Sequence, residues 1–504
     1  MATSLAHLFK RIEARPHSFY FLMALSLFVG IMRAMFEGFF FKARIDTAAA
    51  VGMAGFYFSI GISLSFLLKL LLPVPWERLE NSVHIGLFLG IFPPFIDLIF
   101  QGLQPVTRYT YFLLSDLSRF PLSWYAPELN IPLGEATTVW LAIIFCAIYT
   151  IIKTRSLLRM GLAFVGAYAV MFVHMALIPS LLVRFSVGDF VSYQNADMNK
   201  VRMVNAITAL LPILHLLLAV VLYTLYRRSL SAILLRRALH ILPFVLLTFL
   251  GATVRGAGQP AILAAAMVAL CYWTAVLQND YFDANAGESM SKKSPVRRGD
   301  MEFFNIVTIY LLLWIFALKN PAVLPMALIL VLAWLYHHPN YRTKRYLYGA
   351  IKIEGMWGAL SLIAGYLVMP DKSLDRDELL LLAAVFGGWS VCAPLKDYKD
   401  IRNDARAGND TLYQFFIRRG IGLSWGHKYY SAVMLLFFLI PSAYFMVQWR
   451  IPEAIVLLLT VTIPLFFLLR RPPGRLWFQP VLLVINLMII LLIFFVHFQI
   501  PFSA

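Results

Sequence analysis

Asp280 and Asp283 close a long apolar run, in the segment Gln278-Asn279-Asp280-Tyr281-Phe282-Asp283. Three residues apart on a helix, the two carboxylates share a face. Their repulsion calls for a counter-charge, and the negative end of the helix dipole makes idle placement there costlier. A hard divalent cation supplies that charge. Mg²⁺ takes a few carboxylates and completes its shell with phosphate oxygens. Asn279 adds a neutral oxygen ligand beside the pair. A lone Asp-x-x-Asp also occurs at solvated helix ends, so this cluster does not define a site by itself. A second cluster strengthens the case. In Lys396-Asp397-Tyr398-Lys399-Asp400-Ile401-Arg402-Asn403-Asp404, Asp397, Asp400 and Asp404 fall at i, i+3 and i+7, one stripe of a helix. Carboxylates approaching from two directions can clamp metal ions between the protein and a diphosphate.

The elements that carry these clusters are membrane spans. The 504 residues are 61% hydrophobic and only 14% charged, against about 25% charged in a soluble domain. The mean hydropathy is +0.75. Apolar runs of about 20 residues, enough to cross a bilayer, recur along the whole chain. Their pattern predicts six spans in the first half, near 18–41, 50–73, 82–104, 137–153, 158–183 and 204–226. Nine more are predicted near 238–254, 261–283, 302–318, 321–337, 346–369, 378–396, 428–447, 453–469 and 476–499. The fold class is therefore an all-α polytopic membrane protein. A basic, partly apolar segment from Tyr226 to Arg237 is expected to be an interfacial helix or linker.

The net charge of +17 does not point to nucleic acid, because the basic residues sit in short clusters between spans. That is the positive-inside pattern. Placing the N-terminus in the cytoplasm puts the larger share of the 43 Lys and Arg residues on one side. The C-terminus then lies outside. Both Asp clusters and the basic loop Ser291-Lys292-Lys293-Ser294-Pro295-Val296-Arg297-Arg298 face the cytoplasm. Lys10, Arg11 and Arg15 precede the first span, and no small-residue cleavage site follows it, so no cleavable signal peptide is expected. Cys146, Cys271 and Cys392 lie within apolar runs and suggest neither disulfides nor zinc.

Together the motifs resemble the UbiA superfamily of intramembrane prenyltransferases. Asn279-Asp280-Tyr281-Phe282-Asp283 resembles its first Asp-rich motif. Lys396-Asp397-Tyr398-Lys399-Asp400, with Asp404, Gly408, Thr411 and Leu412 following, resembles the second. Tyr336-His337-His338-Pro339 and Arg342-Thr343-Lys344-Arg345 resemble the stretch that opens the family's middle loop. The resemblance covers about 230–504, where nine predicted spans match a nine-helix bundle. Two departures stand out. Gly287 occupies the position of a third acid in the first motif, with Glu288 beside it. Ser294-Pro295 stands where the family often has Arg-Pro.

The resemblance implies Mg²⁺-dependent transfer of a prenyl group from a polyprenyl diphosphate to an aromatic or other small or lipid acceptor, with pyrophosphate release. Asn279, Asp280 and Asp283 would hold one Mg²⁺, and Asp397, Asp400 and Asp404 the other. Asp280, Asp283, Asp397, Asp400 and Lys344 are the candidate catalytic residues. Asn279, Lys292, Arg342, Lys344, Tyr398 and Asp404 are the candidate substrate-binding residues. Tyr272, Trp273, Tyr281, Trp357 and Trp389 are candidates to line the path of an allylic cation. Lys352 and Glu354 put charge inside a span. An acceptor pocket and a structural role are both open for them.

Residues 1–229 form the other expected domain, of about six spans. Arg33 and Glu37 are an i, i+4 pair able to neutralise itself, and Pro93-Pro94 should break or kink its helix. Asp97, His174 and His215 are further notable polar residues in these spans. Helix-to-helix bonding is the expected role, and receipt of the acceptor or export of the lipid product is the functional alternative. Two readings compete for the whole chain: a non-catalytic lipid-binding member and a cation-coupled transporter. A transporter places ionisable groups near the midplane, whereas both clusters here end their spans. The oligomeric state is not readable.

Overall fold

The computed structural model of the chain describes residues 2–15, 18–41, 47–101, 133–179, 181, 196–257, 259–285, 296–369, 374–392, 401, 405, 408, 410–422, 433, 436, 438–448, 450–470 and 478–498. Every regular element among them is helical. Eight of the described helices are long and apolar enough to cross a bilayer, and shorter apolar helices accompany them. The chain is an integral, multi-pass membrane protein. It divides into two compact units: Met1–Arg228 with Ile309–Leu318, and Ser229–Thr308 with Lys319–Ala504.

The first unit is organised around the Thr47–Leu71 helix, which packs on Phe19–Phe41, Ala196–Tyr226, Trp76–Gly86 and Leu157–Phe172. Small residues allow the close approaches that drive helix association in lipid. A Cβ on Gly30 would lie 2.7 Å from the Ala54 nitrogen. The predicted 82–104 span starts earlier and is segmented. An α-helix runs over Trp76–Gly86, a 3₁₀ turn over Leu87–Ile91 and a second α-helix over Pro93–Gln101. Pro93 and Pro94 lack the N–H groups that would continue the ladder. A helix over Ala2–Glu13 was not anticipated from the sequence. It is held by its far end, where the buried Glu13 accepts from the Tyr149 hydroxyl at 2.8 Å and pairs with Lys153 at 2.5 Å.

In the second unit, of the interfacial helix or linker expected over 226–237, the structure shows a helix from Arg228 on, and it does not end at 237. Arg228–Val254 is one continuous helix. Leu230 and Ile233 are buried on one face, and Arg236 folds back to the Ala232 carbonyl at 3.1 Å. Apolar burial thus carries the helix past its own arginines. Its far half meets the Leu347–Tyr366 helix through glycines. A Cβ on Gly365 would lie 3.0 Å from the Gly251 Cα. A core of Leu247, Leu250, Leu362, Leu381, Phe445 and Leu457 joins these helices to later ones. Residues 438–448 of the predicted 428–447 span are helical to Val447, and most of the rest of that span lies outside the described residues.

Candidate active site

The Gln259–Asn285 helix carries the first Asp cluster at its end. Its last turns are anchored sideways, since Gln278 donates to Asn305 at 2.9 Å. Asp280 and Asp283 then meet cations from two different elements. Arg237, on the Arg228–Val254 helix, donates to Asp280 Oδ1 at 2.9 Å. Lys344 pairs with Asp283 Oδ1, and the Arg342 guanidinium approaches the same oxygen at 3.5 Å. Asn279 donates its amide N–H to Asp280 at 3.3 Å and keeps its carbonyl oxygen as an acceptor. Among the described residues, three cationic side chains therefore surround two carboxylates. The excess positive charge suits an anionic headgroup.

Lys344 and Arg342 reach Asp283 because of a turn. The Val323–His337 helix stops ahead of Pro339, and Arg342 returns its N–H to the His338 carbonyl at 2.8 Å. Arg342 holds left-handed backbone angles, φ 34° and ψ 57°. Strain at a non-glycine residue is costly and concentrates at functional positions. Its side chain is only 4% exposed. Lys344 follows in a single 3₁₀ turn, Thr343–Arg345, leading into the Leu347–Tyr366 helix. Gly349 lets that helix pass close to the turn, because a Cβ there would lie 2.7 Å from the Thr343 carbonyl oxygen. We expect Gly349→Ala to push the turn and its lysine out of place. A displacement of about 1 Å can cost up to about 10²-fold in rate. Pyrophosphate release measured beside thermal unfolding checks this: the rate should fall while the unfolding midpoint barely moves.

The segment after the second Asp cluster docks on the same turn. Asp410 donates its backbone N–H to the Arg345 carbonyl at 2.8 Å. Thr411 caps the Leu412–Arg418 helix, and Gln414 on that helix donates to the Ile401 carbonyl at 2.6 Å. Ile401 is the residue next to Asp400. Two hydrogen bonds thus link the 343–345 turn, through the 410–418 segment, to Ile401. Asp397, Tyr398, Asp400, Asp404 and Lys292 lie outside the described residues, as do Gly287, Glu288 and Ser294.

An aromatic wall runs inward from the turn. Tyr336 packs on Trp357 at 5.2 Å, Trp357 on Tyr272 at 6.2 Å, Tyr272 stacks on Phe244 at 4.0 Å, and Phe244 meets Trp389 at 5.0 Å. Three sequence candidates, Tyr272, Trp357 and Trp389, belong to it. Tyr281 packs instead on Phe282, and Trp273 makes no described ring contact with the wall. Phe244 and Tyr336 had not been singled out as wall residues, since aromatics are too common in this chain to select by type. Glu354 is buried and accepts from the Tyr336 hydroxyl at 3.0 Å, while Lys352, two residues away, is exposed. Arg237 was also missed. Its only sequence signal was a charge at the start of an apolar run.

The donor set fits a hard cation. Asn279, Asp280 and Asp283 offer oxygen atoms at one helix end, and Mg²⁺ needs only one or two carboxylates beside phosphate oxygens.

Comparison with known proteins bears on the same region. Residues 240–483 match the sequence profile of the UbiA prenyltransferase family. A UbiA homolog from Archaeoglobus fulgidus, solved bound to DMAPP and Mg²⁺, is 16% identical, with a TM-score of 0.39 over 52% of this chain and 96% of that one. The same homolog bound to GPP and Mg²⁺ gives the same identity and score, over 52% and 97%. A structure of digeranylgeranylglyceryl phosphate synthase is likewise 16% identical with a TM-score of 0.39, over 54% of this chain and 99% of that one. No curated protein matches the chain.

Proposed function

Since residues 240–483 match the profile of the UbiA prenyltransferase family, we propose that this protein transfers a prenyl group from a polyprenyl diphosphate to an aromatic or other small or lipid acceptor and releases pyrophosphate. The observation that carries this reading is the grip on the two carboxylates of the first cluster. Asp280 is held from one side by Arg237, and Asp283 from another by Lys344 and Arg342.

Asn279, Asp280 and Asp283 would hold one Mg²⁺, and Asp397, Asp400 and Asp404 the other. Bound Mg²⁺ supplies charge neutralisation on the diphosphate. Lys344 and Arg342, already beside Asp283, can turn to the diphosphate oxygens and take up the charge that grows as the allylic C–O bond breaks. Lys292 and Tyr398 are proposed to add contacts to the head. The aromatic faces of Tyr272, Trp357 and Trp389 favour a developing carbocation and help exclude water. The acceptor attacks the allylic carbon and loses its proton, with a carboxylate of the clusters as the proposed base. The catalytic part is residues 230–504, its site on the cytoplasmic side.

The test is Mg²⁺-dependent pyrophosphate release across a panel of prenyl diphosphates and acceptors, with Asp280→Asn and Asp400→Asn as controls. Each single substitution should abolish most of the release. Unchanged release in both would sink the metal assignment.

A further inference from the structure

The first unit contains an open-mouthed cavity, about 620 Å³ of empty space with the open solvent at its mouth counted. Most of its lining is apolar, for example Phe145, Met171 and Met175. Its polar lining is contiguous. Arg33 donates to Glu135 Oε2 at 2.5 Å and to the Tyr57 hydroxyl at 2.9 Å, and Thr138 sits one helical turn beyond Glu135. Arginine in the middle of an apolar span is expensive, so its placement calls for a reason.

The charges and hydrogen bonds tell what such a pocket accepts. The guanidinium of Arg33 is already engaged by Glu37, Glu135, Tyr57 and the Gly90 carbonyl. Gly90 lets that carbonyl come so close, because a Cβ there would strike the Tyr57 ring at 2.6 Å. An anionic head would thus meet a cation that is already satisfied. The acids outnumber it. Asp97, fully buried and within electrostatic reach of Arg33 and Glu135, accepts from the Gly134 N–H at 2.6 Å, while its Oδ2 has no partner. Thr138 Oγ1 is likewise buried and unpartnered. Glu135 spends only one oxygen on Arg33. What remains for a ligand is a carboxylate oxygen and a hydroxyl, three residues apart on one helix face.

We propose that this cavity binds an amphiphile whose head donates hydrogen bonds, a hydroxyl or an ammonium, carried on an apolar body. Glu135 accepts from the head, Thr138 exchanges a hydrogen bond with it, and the apolar walls take the chain. This site stands independently of the prenyl-transfer reading.

The experiment uses the full-length protein in phosphatidylcholine nanodiscs. Three probes share one diazirine-bearing twelve-carbon chain and end in a hydroxyl, an ammonium or a carboxylate. After photolysis, labelled peptides are mapped by mass spectrometry. The hydroxyl and ammonium probes should label the Leu133–Thr154 and Leu157–Phe172 peptides about tenfold more than the carboxylate probe, the worth of a hydrogen bond to a charged group. Thr138→Val, close in shape and outside the arginine network, should lower hydroxyl-probe labelling about fivefold. Ala142→Phe fills the cavity from its apolar wall and should remove the labelling without touching the ion pairs. Equal labelling by all three probes means that any acyl chain fills the space, and overturns the proposal. Labelling that survives Ala142→Phe comes from the lipid-facing surface, and overturns it equally.

Discussion

Lys344→Met should lower Mg²⁺-dependent pyrophosphate release by about 10²–10³-fold, the usual cost of removing one preorganised group that meets developing charge. The side chain keeps its length and most of its apolar stem, so packing of the turn is retained. What disappears is the cation beside Asp283. Arg342 remains, at 3.5 Å from the same oxygen, and would neutralise the resting carboxylate. For that reason the loss should fall mainly on kcat rather than on stability. Lys344→Arg should recover only part of the rate, because a planar fork does not reproduce a compact ammonium. Single-turnover release at saturating prenyl diphosphate, beside thermal unfolding in detergent, separates the effects. A rate within twofold of the parent would remove Lys344 from the proposed machinery.

Arg255→Met should destabilise the second unit by about 3–5 kcal/mol, the cost of leaving a buried charge without its partner. Arg255 follows the Arg228–Val254 helix, and its Nη2 donates to Glu378 Oε2 at 2.5 Å while Nε lies 2.5 Å from Oε1. Both side chains are almost completely buried. Glu378 is itself fixed by a reciprocal cap, donating its N–H to Asp375 Oδ1 at 2.8 Å and accepting from the Asp375 N–H at 3.0 Å. The arginine also lies over the Tyr366 ring, at 5.8 Å from its centre. One pair thus ties together the ends of three helices. The double replacement Arg255→Met with Glu378→Met should recover much of the loss, since no orphaned charge remains. The midpoint of thermal unfolding in detergent reads both changes, and a single mutant as stable as the parent would contradict the assignment.

Local pattern made much of this molecule legible. Long apolar runs can satisfy their backbone in lipid only as helices, so a polytopic all-α protein followed directly from the sequence. Two prolines in succession announced the break before Pro93. Periodicity placed Asp280 beside Asp283. The 226–237 segment left a helix and a linker both open, and burial of Leu230 and Ile233 makes it the start of a longer helix.

By itself, the sequence determined the membrane class, most of the helical elements and the family resemblance of the second half, because these depend on composition and short spacing. Only the tertiary structure decided which charges meet. Asp283 and Lys344 stand 61 residues apart, and Arg237 is separated from Asp280 by 43. In the first unit Arg33 had a visible partner in Glu37, four residues on, but Glu135 lies 102 residues away. An ion pair between helices leaves no period in the sequence. It follows from how apolar faces pack, and that packing sets the grip on the first Asp cluster, the aromatic wall behind it and the cavity beside Arg33 and Glu135 in the first unit.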